Sequence, residues 1–159
     1  MKKHSLKTAS IFLALTLAMM GCEGGSMPGG GKIEAPELGL SMNVPSGWRV
    51  DRNNPRLFYI GNSTGIIMDE PLEGRNFREY VQQLSIENFG RLVDTESMTR
   101  NGYQFIQSVI EYPNAGSKAL KAFIHKGDTL IEVSFVTPTD EFSEYEDSLR
   151  QSLASIMIE

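Results

Sequence analysis

The chain has 159 residues, 40% of them hydrophobic and 22% charged, with 15 Lys and Arg against 20 Asp and Glu for a formal net charge of −5. That balance argues against a nucleic-acid partner and against electrostatic adhesion to anionic lipid, both of which select basic surfaces. A single cysteine excludes any intramolecular disulfide, so packing must hold the fold, and the length allows one domain with a real core.

Lys2, Lys3 and Lys7 precede an apolar run from Ile11 to Met20 that ends in Gly21-Cys22. A basic, then apolar, then small-residue order is the layout of a secretory signal, and the run is too short to span a bilayer. With the sole cysteine directly after Gly21, the segment Ala18-Met19-Met20-Gly21-Cys22 resembles the end of a bacterial lipoprotein signal. The resemblance implies a signal peptide over residues 1–21, acyl chains such as palmitate on Cys22, and a cell-envelope protein anchored to a membrane through that lipid. In a host with two membranes the domain would face the periplasm, and Glu23 in place of Asp implies delivery to the outer membrane. The leader carries three basic residues and no acidic one, which leaves twelve against twenty, a formal −8, on residues 22–159. Lipid rather than surface charge is therefore expected to anchor the protein, with two or more acyl chains, since one holds only marginally.

Glu23 to Lys32 is mostly Gly, with almost nothing to bury. Residues 22–36 read as the lipidated cysteine and a flexible linker with a reach of roughly 15 to 20 Å for about ten Gly-rich residues, and 37–159 as the single domain. A phosphate-binding loop is excluded, because Ile33 follows Gly31-Lys32 where Ser or Thr is required.

Leu38 to Val44 alternates around Leu40, Met42 and Val44 and is closed by Pro45-Ser46-Gly47-Trp48, a strand and turn with Trp48 folded back onto the core. Arg56–Ile60 and Gly65–Met68 read as a hairpin around Gly61-Asn62-Ser63-Thr64. Asn76 caps a helix running to Leu92, with Phe77, Tyr80, Val81, Leu84 and Phe89 on one face. Asn101-Gly102 joins strands Val93–Arg100 and Tyr103–Tyr112. Pro113–Gly116 turns the chain into Ala119–His125, and Lys126-Gly127-Asp128 into Thr129–Val136, completing a four-strand meander. Apolar residues point to both sides of these strands, so both faces of the sheet are expected to be at least partly covered. Thr137-Pro138-Thr139-Asp140 reads as an N-cap, Pro at the first helical position and an early acid. It opens an amphipathic helix of about five turns along Phe142, Tyr145, Leu149, Leu153 and Ile156.

The expected fold class is α+β, an antiparallel sheet of about six strands sandwiched by two main helices. In this order of elements, Leu40-Ser41-Met42-Asn43-Val44-Pro45-Ser46-Gly47-Trp48, the helix from Asn76 to Leu92 and the closing Ser148–Ile156 resemble the PsbP and DcrB-like group, over nearly all of residues 37–159. The resemblance implies that group's helix–sheet sandwich and an accessory or interaction role, with no catalytic residue and no cofactor.

Four constellations are candidates for chemistry or recognition. Gly61-Asn62-Ser63-Thr64-Gly65 matches the nucleophile elbow of serine hydrolases, but a strand rather than a helix follows it, and a hairpin loop is the expected reading. His125 with Asp128 could begin a metal site, yet three or four ligands must converge and His4 lies in the leader, so a partly exposed strand-end histidine is expected. Asp140, Glu141, Glu144, Glu146 and Asp147 are expected to form a solvated helix face, with a docking surface for a basic partner or a divalent-cation site as the alternatives. Trp48 is expected in the core.

The function expected from these readings is that of a membrane-anchored, non-catalytic adaptor in the cell envelope, serving a partner protein complex. The alternative is a small-molecule or ion carrier with a cleft between sheet and helix.

Overall fold

The computed structural model describes residues 31–159. The leader, Cys22 and the first part of the linker lie outside the described residues.

Ten strands and two helices make up the domain, in chain order β1 (Lys32–Ala35), β2 (Leu40–Asn43), β3 (Arg49–Val50), β4 (Leu57–Ile60), β5 (Ser63–Pro71), α1 (Phe77–Ile86), β6 (Arg91–Arg100), β7 (Tyr103–Tyr112), β8 (Ser117–Lys126), β9 (Thr129–Pro138), α2 (Phe142–Ala154) and β10 (Met157–Ile158). The main sheet has seven antiparallel strands in the order β3-β4-β5-β9-β8-β7-β6, and a second sheet has three, β1-β2-β10. The expected α+β sandwich is present, with one more strand in its main sheet than the six anticipated and a small sheet in addition.

Local chemistry accounts for most of the connections. Asn101 and Gly102 both hold positive φ, 49° and 83°, the backbone hand that matches the twist of the two strands they join. Between β4 and β5 the loop shrinks to Gly61-Asn62, because Ser63 already pairs with Ile60. Gly65 in β5 lies under the Phe58 ring, which a Cβ there would overlap. Asn76 caps α1 as expected, its side chain accepting hydrogen bonds from the N–H groups of Arg78 at 3.0 Å and Glu79 at 3.2 Å.

The two faces of the main sheet differ. On one, α2 and the small sheet cover Ile67, Phe105, Leu120, Ile124, Ile131, Val133 and Phe135. Trp48 sits there, edge-on to Phe135 at 5.6 Å between ring centres and to Tyr145 at 6.2 Å, as the core reading of Trp48 anticipated. On the other, α1 buries a smaller cluster of Leu72, Phe77, Val81, Ile106, Phe123 and Leu130.

Four boundaries need correction. The linker ends earlier than residue 36: Lys32–Ala35 pairs with β2, with Ile33 and Ala35 buried. The strand expected at Leu38 begins at Leu40, after a short helical turn at Pro36–Leu38. The central helix stops at Ile86 instead of continuing to Leu92, since Asn88 and Phe89 take left-handed φ values of 60° and 61° and Phe89 is 82% exposed. Thr137 and Pro138 extend β9, opposite Lys118 and Ser117, so the last helix starts at Phe142, four residues after the expected Pro138, and ends at Ala154. Sheet pairing outweighed a local capping signature, and α2 is 13 residues, shorter than five turns.

Candidate functional site

The residues singled out for chemistry do not converge. Ser63 is fully buried at the start of β5 and continues along the strand, not into a helix, so no elbow forms. Strand alternation puts Ser63 on the α2 side with Ile67, whereas His125 stacks on Phe77 at 5.0 Å and 12° on the α1 side. The sheet separates them. Asp128 serves the adjoining turn: its carbonyl accepts from Leu72 N–H at 2.7 Å, and it makes no pair with His125. Among the described residues no group of three or more His, Cys, Asp or Glu is placed to hold a metal ion. On α2, Glu146 pairs with Arg150 at 2.7 Å, and Arg150 lies 3.8 Å from Asp94 of β6. Asp140, Glu144 and Asp147 are exposed, consistent with a solvated face.

What the structure does bring together is polar chemistry inside the α1 side of the main sheet. Lys121 of β8 meets Glu132 of β9 at 2.7 Å, with side chains only 14% and 9% exposed. Burial is the largest single influence and opposes the charge on Lys121, but the charge attraction and hydrogen bonding of Glu132 and Tyr112 together outweigh it and hold the ammonium above its usual range. Nearby, Thr95 and Ser108 hydroxyls lie 3.2 Å apart. Tyr80 of α1 donates to Glu70 at 2.8 Å under the Arg75 guanidinium, 3.7 Å above its ring. Burial, followed by the Glu70 contact, raises the Tyr80 phenol.

Around these groups the α1 side is incompletely covered. Tyr59, Met68, Ile86, Phe89, Leu92 and Val93 are all exposed, and nearly every residue of β6 is open to solvent. Between the start of α1 and the β6–β7 hairpin lies an open groove of about 210 Å³, floored by Phe77 and Ile106 and walled by Ser97 and Thr99, with Arg78 at its rim. Ligand sites for small molecules run from about 300 Å³ upward and are mostly enclosed. A carrier cleft between sheet and helix is therefore weakly served by this groove.

Sequence reasoning did not single out Lys121, Glu132 or the β6 edge. The signal for the first two was present: each charge interrupts a strand whose neighbours, Ala119-Leu120 and Ala122-Phe123 or Leu130-Ile131 and Val133, are buried on both faces. A charge in such a run needs a partner. The exposure of β6 has no comparable local signature, because edge position is a property of the whole sheet.

No family model matches the chain, and no curated protein matches it. Among solved structures it is similar to that of cyanobacterial PsbP (CyanoP) from Synechocystis, at 12% identity and a TM-score of 0.59, covering 89% of this chain and 99% of that one. It is also similar to PA94, a protein of unknown function from Pseudomonas aeruginosa, at 13% identity and a TM-score of 0.51, covering 79% and 94%. At these identities the likeness shows the fold, a PsbP-like sandwich, in agreement with the resemblance drawn from the sequence.

Proposed function

We propose that the protein is a tethered adaptor of the cell envelope: acyl chains on Cys22 hold it to a membrane, residues 23–31 act as a leash, and the domain presents a surface to a partner protein complex. The observation that carries this reading is the placement of the sole cysteine directly after an apolar leader and Gly21, followed at once by a run of glycines. No described helix is long and apolar enough to cross a membrane, so attachment in this reading rests on the lipid. With β1 beginning at Lys32, a Gly-rich leash of about nine residues would in this reading reach roughly 15 to 18 Å.

Confinement to that layer raises the effective concentration of the domain at the membrane, so a weak interface is occupied without strong intrinsic affinity. The PsbP-like fold supports the reading, because the resemblance implies accessory roles. A binding role also suits a domain whose candidate residues stand on opposite sides of one sheet.

The test is proximity crosslinking in native membranes, comparing the anchored protein with a secreted Cys22→Ser form. One reproducible envelope partner, lost or weakened without the anchor, is the expected result. Full complementation of a deletion by the Cys22→Ser form at equal abundance would sink the reading.

A further inference from the structure

Among the described residues β6 is the last strand of the main sheet, and its outer edge carries main-chain N–H and C=O groups with no described strand beside them. Folded proteins blunt such edges with lysine, proline or short strands. β6 runs ten residues and contains neither Lys nor Pro. Both of its arginines are engaged within the domain: Arg91 with Glu111, and Arg100 with the carbonyl of Leu153 at 3.1 Å. One protective device is present, a bulge between Leu92 and Asp94, which leaves Asp94–Arg100 as the regular part of the edge.

The side chains along that part sort by face. Asp94, Glu96 and Met98 pair across from Val109, Gln107 and Phe105 and so lie on the α2 side, while Thr95, Ser97 and Thr99 lie on the α1 side. Glu96 is exposed and makes no ion pair among the described residues, and Asp94 has only the 3.8 Å approach of Arg150. Ser97 and Thr99 are also a wall of the 210 Å³ groove, so edge and groove are continuous.

We propose that the edge of β6 from Asp94 to Arg100 receives an extended segment of a partner protein as a further strand. Basic side chains at alternate positions meet Asp94 and Glu96, and an adjacent bulky apolar side chain enters the groove beside Ser97 and Thr99. Main-chain hydrogen bonds supply affinity in such an addition, and pockets for alternate side chains supply specificity. A second copy of this chain fits less well. Antiparallel self-pairing centred on Thr95 sets Asp94 opposite Glu96, and centring on Glu96 sets two glutamates face to face, whereas a basic strand is complementary in charge. This inference rests on the adaptor reading and specifies its surface.

The experiment is an NMR titration of the isotope-labelled purified protein with a short end-blocked peptide carrying lysine at alternate positions and leucine or threonine between them. The same peptide with glutamate for lysine is the control. Slowed amide exchange confined to Asp94–Arg100 is expected, with affinity for the lysine peptide falling about tenfold in Glu96→Lys, roughly one lost charge contact, and unchanged in Asp147→Lys. Equal binding of the glutamate peptide, protection centred on α2, indifference to Glu96→Lys, or dimerisation through β6 in place of peptide binding would each overturn the proposal. Crosslinking separates this failure from that of the adaptor reading: a partner mapped to another face overturns only the β6 site, and absence of any partner overturns the adaptor itself.

Discussion

On its α2 side the main sheet is sealed by a helix, a small sheet and a nest of aromatic rings, and among the described residues the charges there sit at the rim. On its α1 side a shorter helix buries a smaller cluster, a lysine and a glutamate are largely buried against the strands, and apolar side chains stand open around them. The same four meander strands supply both sides, so the contrast comes from what packs on each. The α2 side is the one that specifies a folded domain. The α1 side, with the smaller apolar cluster, carries the buried polar groups and the groove that adjoins the open edge, which is where a binding surface can be accommodated.

Substitutions can break or sharpen this contrast. Phe135→Ala removes the ring that Trp48 and Phe58 pack on, and it is expected to cost about 3 to 5 kcal/mol in urea unfolding. Val81→Ala on the α1 side should cost about 1 to 2 kcal/mol. Equal losses would show the two sides to be energetically alike.

Lys121→Met leaves Glu132 buried without its cation and should also cost about 3 to 5 kcal/mol, whereas the double variant Lys121→Met with Glu132→Leu should recover most of that loss. The pair also has a signature in pH. Because the folded state holds Lys121 above its ordinary value of 10.5, its contribution is complete below that value and is lost as pH rises through the folded-state pKa. Alkaline unfolding of the double variant should lack this component, and identical alkaline limbs would contradict the ion-pair account.

Asn76→Ala removes the cap of α1 and should lower stability by about 1 kcal/mol, read as a shift in denaturation midpoint with unchanged slope. The smallest effect is expected at Phe89→Gly. That residue holds φ of 61° and is largely exposed, so relief of backbone strain should raise stability by less than about 1 kcal/mol. A clear loss there would mean that Phe89 packs on something the domain alone supplies.

Much of the scaffold was legible because its signals are local. Asn101-Gly102 and the turns at Gly116 and Gly127 punctuate strands of nearly equal length, and Asn76 caps α1 through its own side chain. Failures came where a distant partner decided the outcome. Thr137-Pro138 has the chemistry of a helix start, yet Lys118 and Ser117 already stand opposite as strand partners. Phe89 falls on the helical period of α1 by spacing alone, but α1 ends at Ile86 and both Asn88 and Phe89 itself take left-handed backbone. Lys32–Ala35 is too short to signal a strand without β2 beside it. Of the candidate site, the buried charges were readable in principle from their apolar neighbours, and the edge was not, since only the assembled sheet shows which strand comes last.

The small sheet joins opposite ends of the described chain. β1 and β10 both pair with β2, Glu159 N–H donates to the Gly39 carbonyl at 2.9 Å, and Lys126 donates to the carbonyls of Leu38 and Glu159, each at 2.7 Å. The lid over the sheet is therefore finished only when residues near 158 arrive, so it cannot close before β10 has been made. A ribosome-stalled chain ending before Met157 should remain open to protease along β2 and α2, and full resistance at that length would show that the lid closes without its final strand. Late closure keeps the polypeptide threadable until β10 has been made.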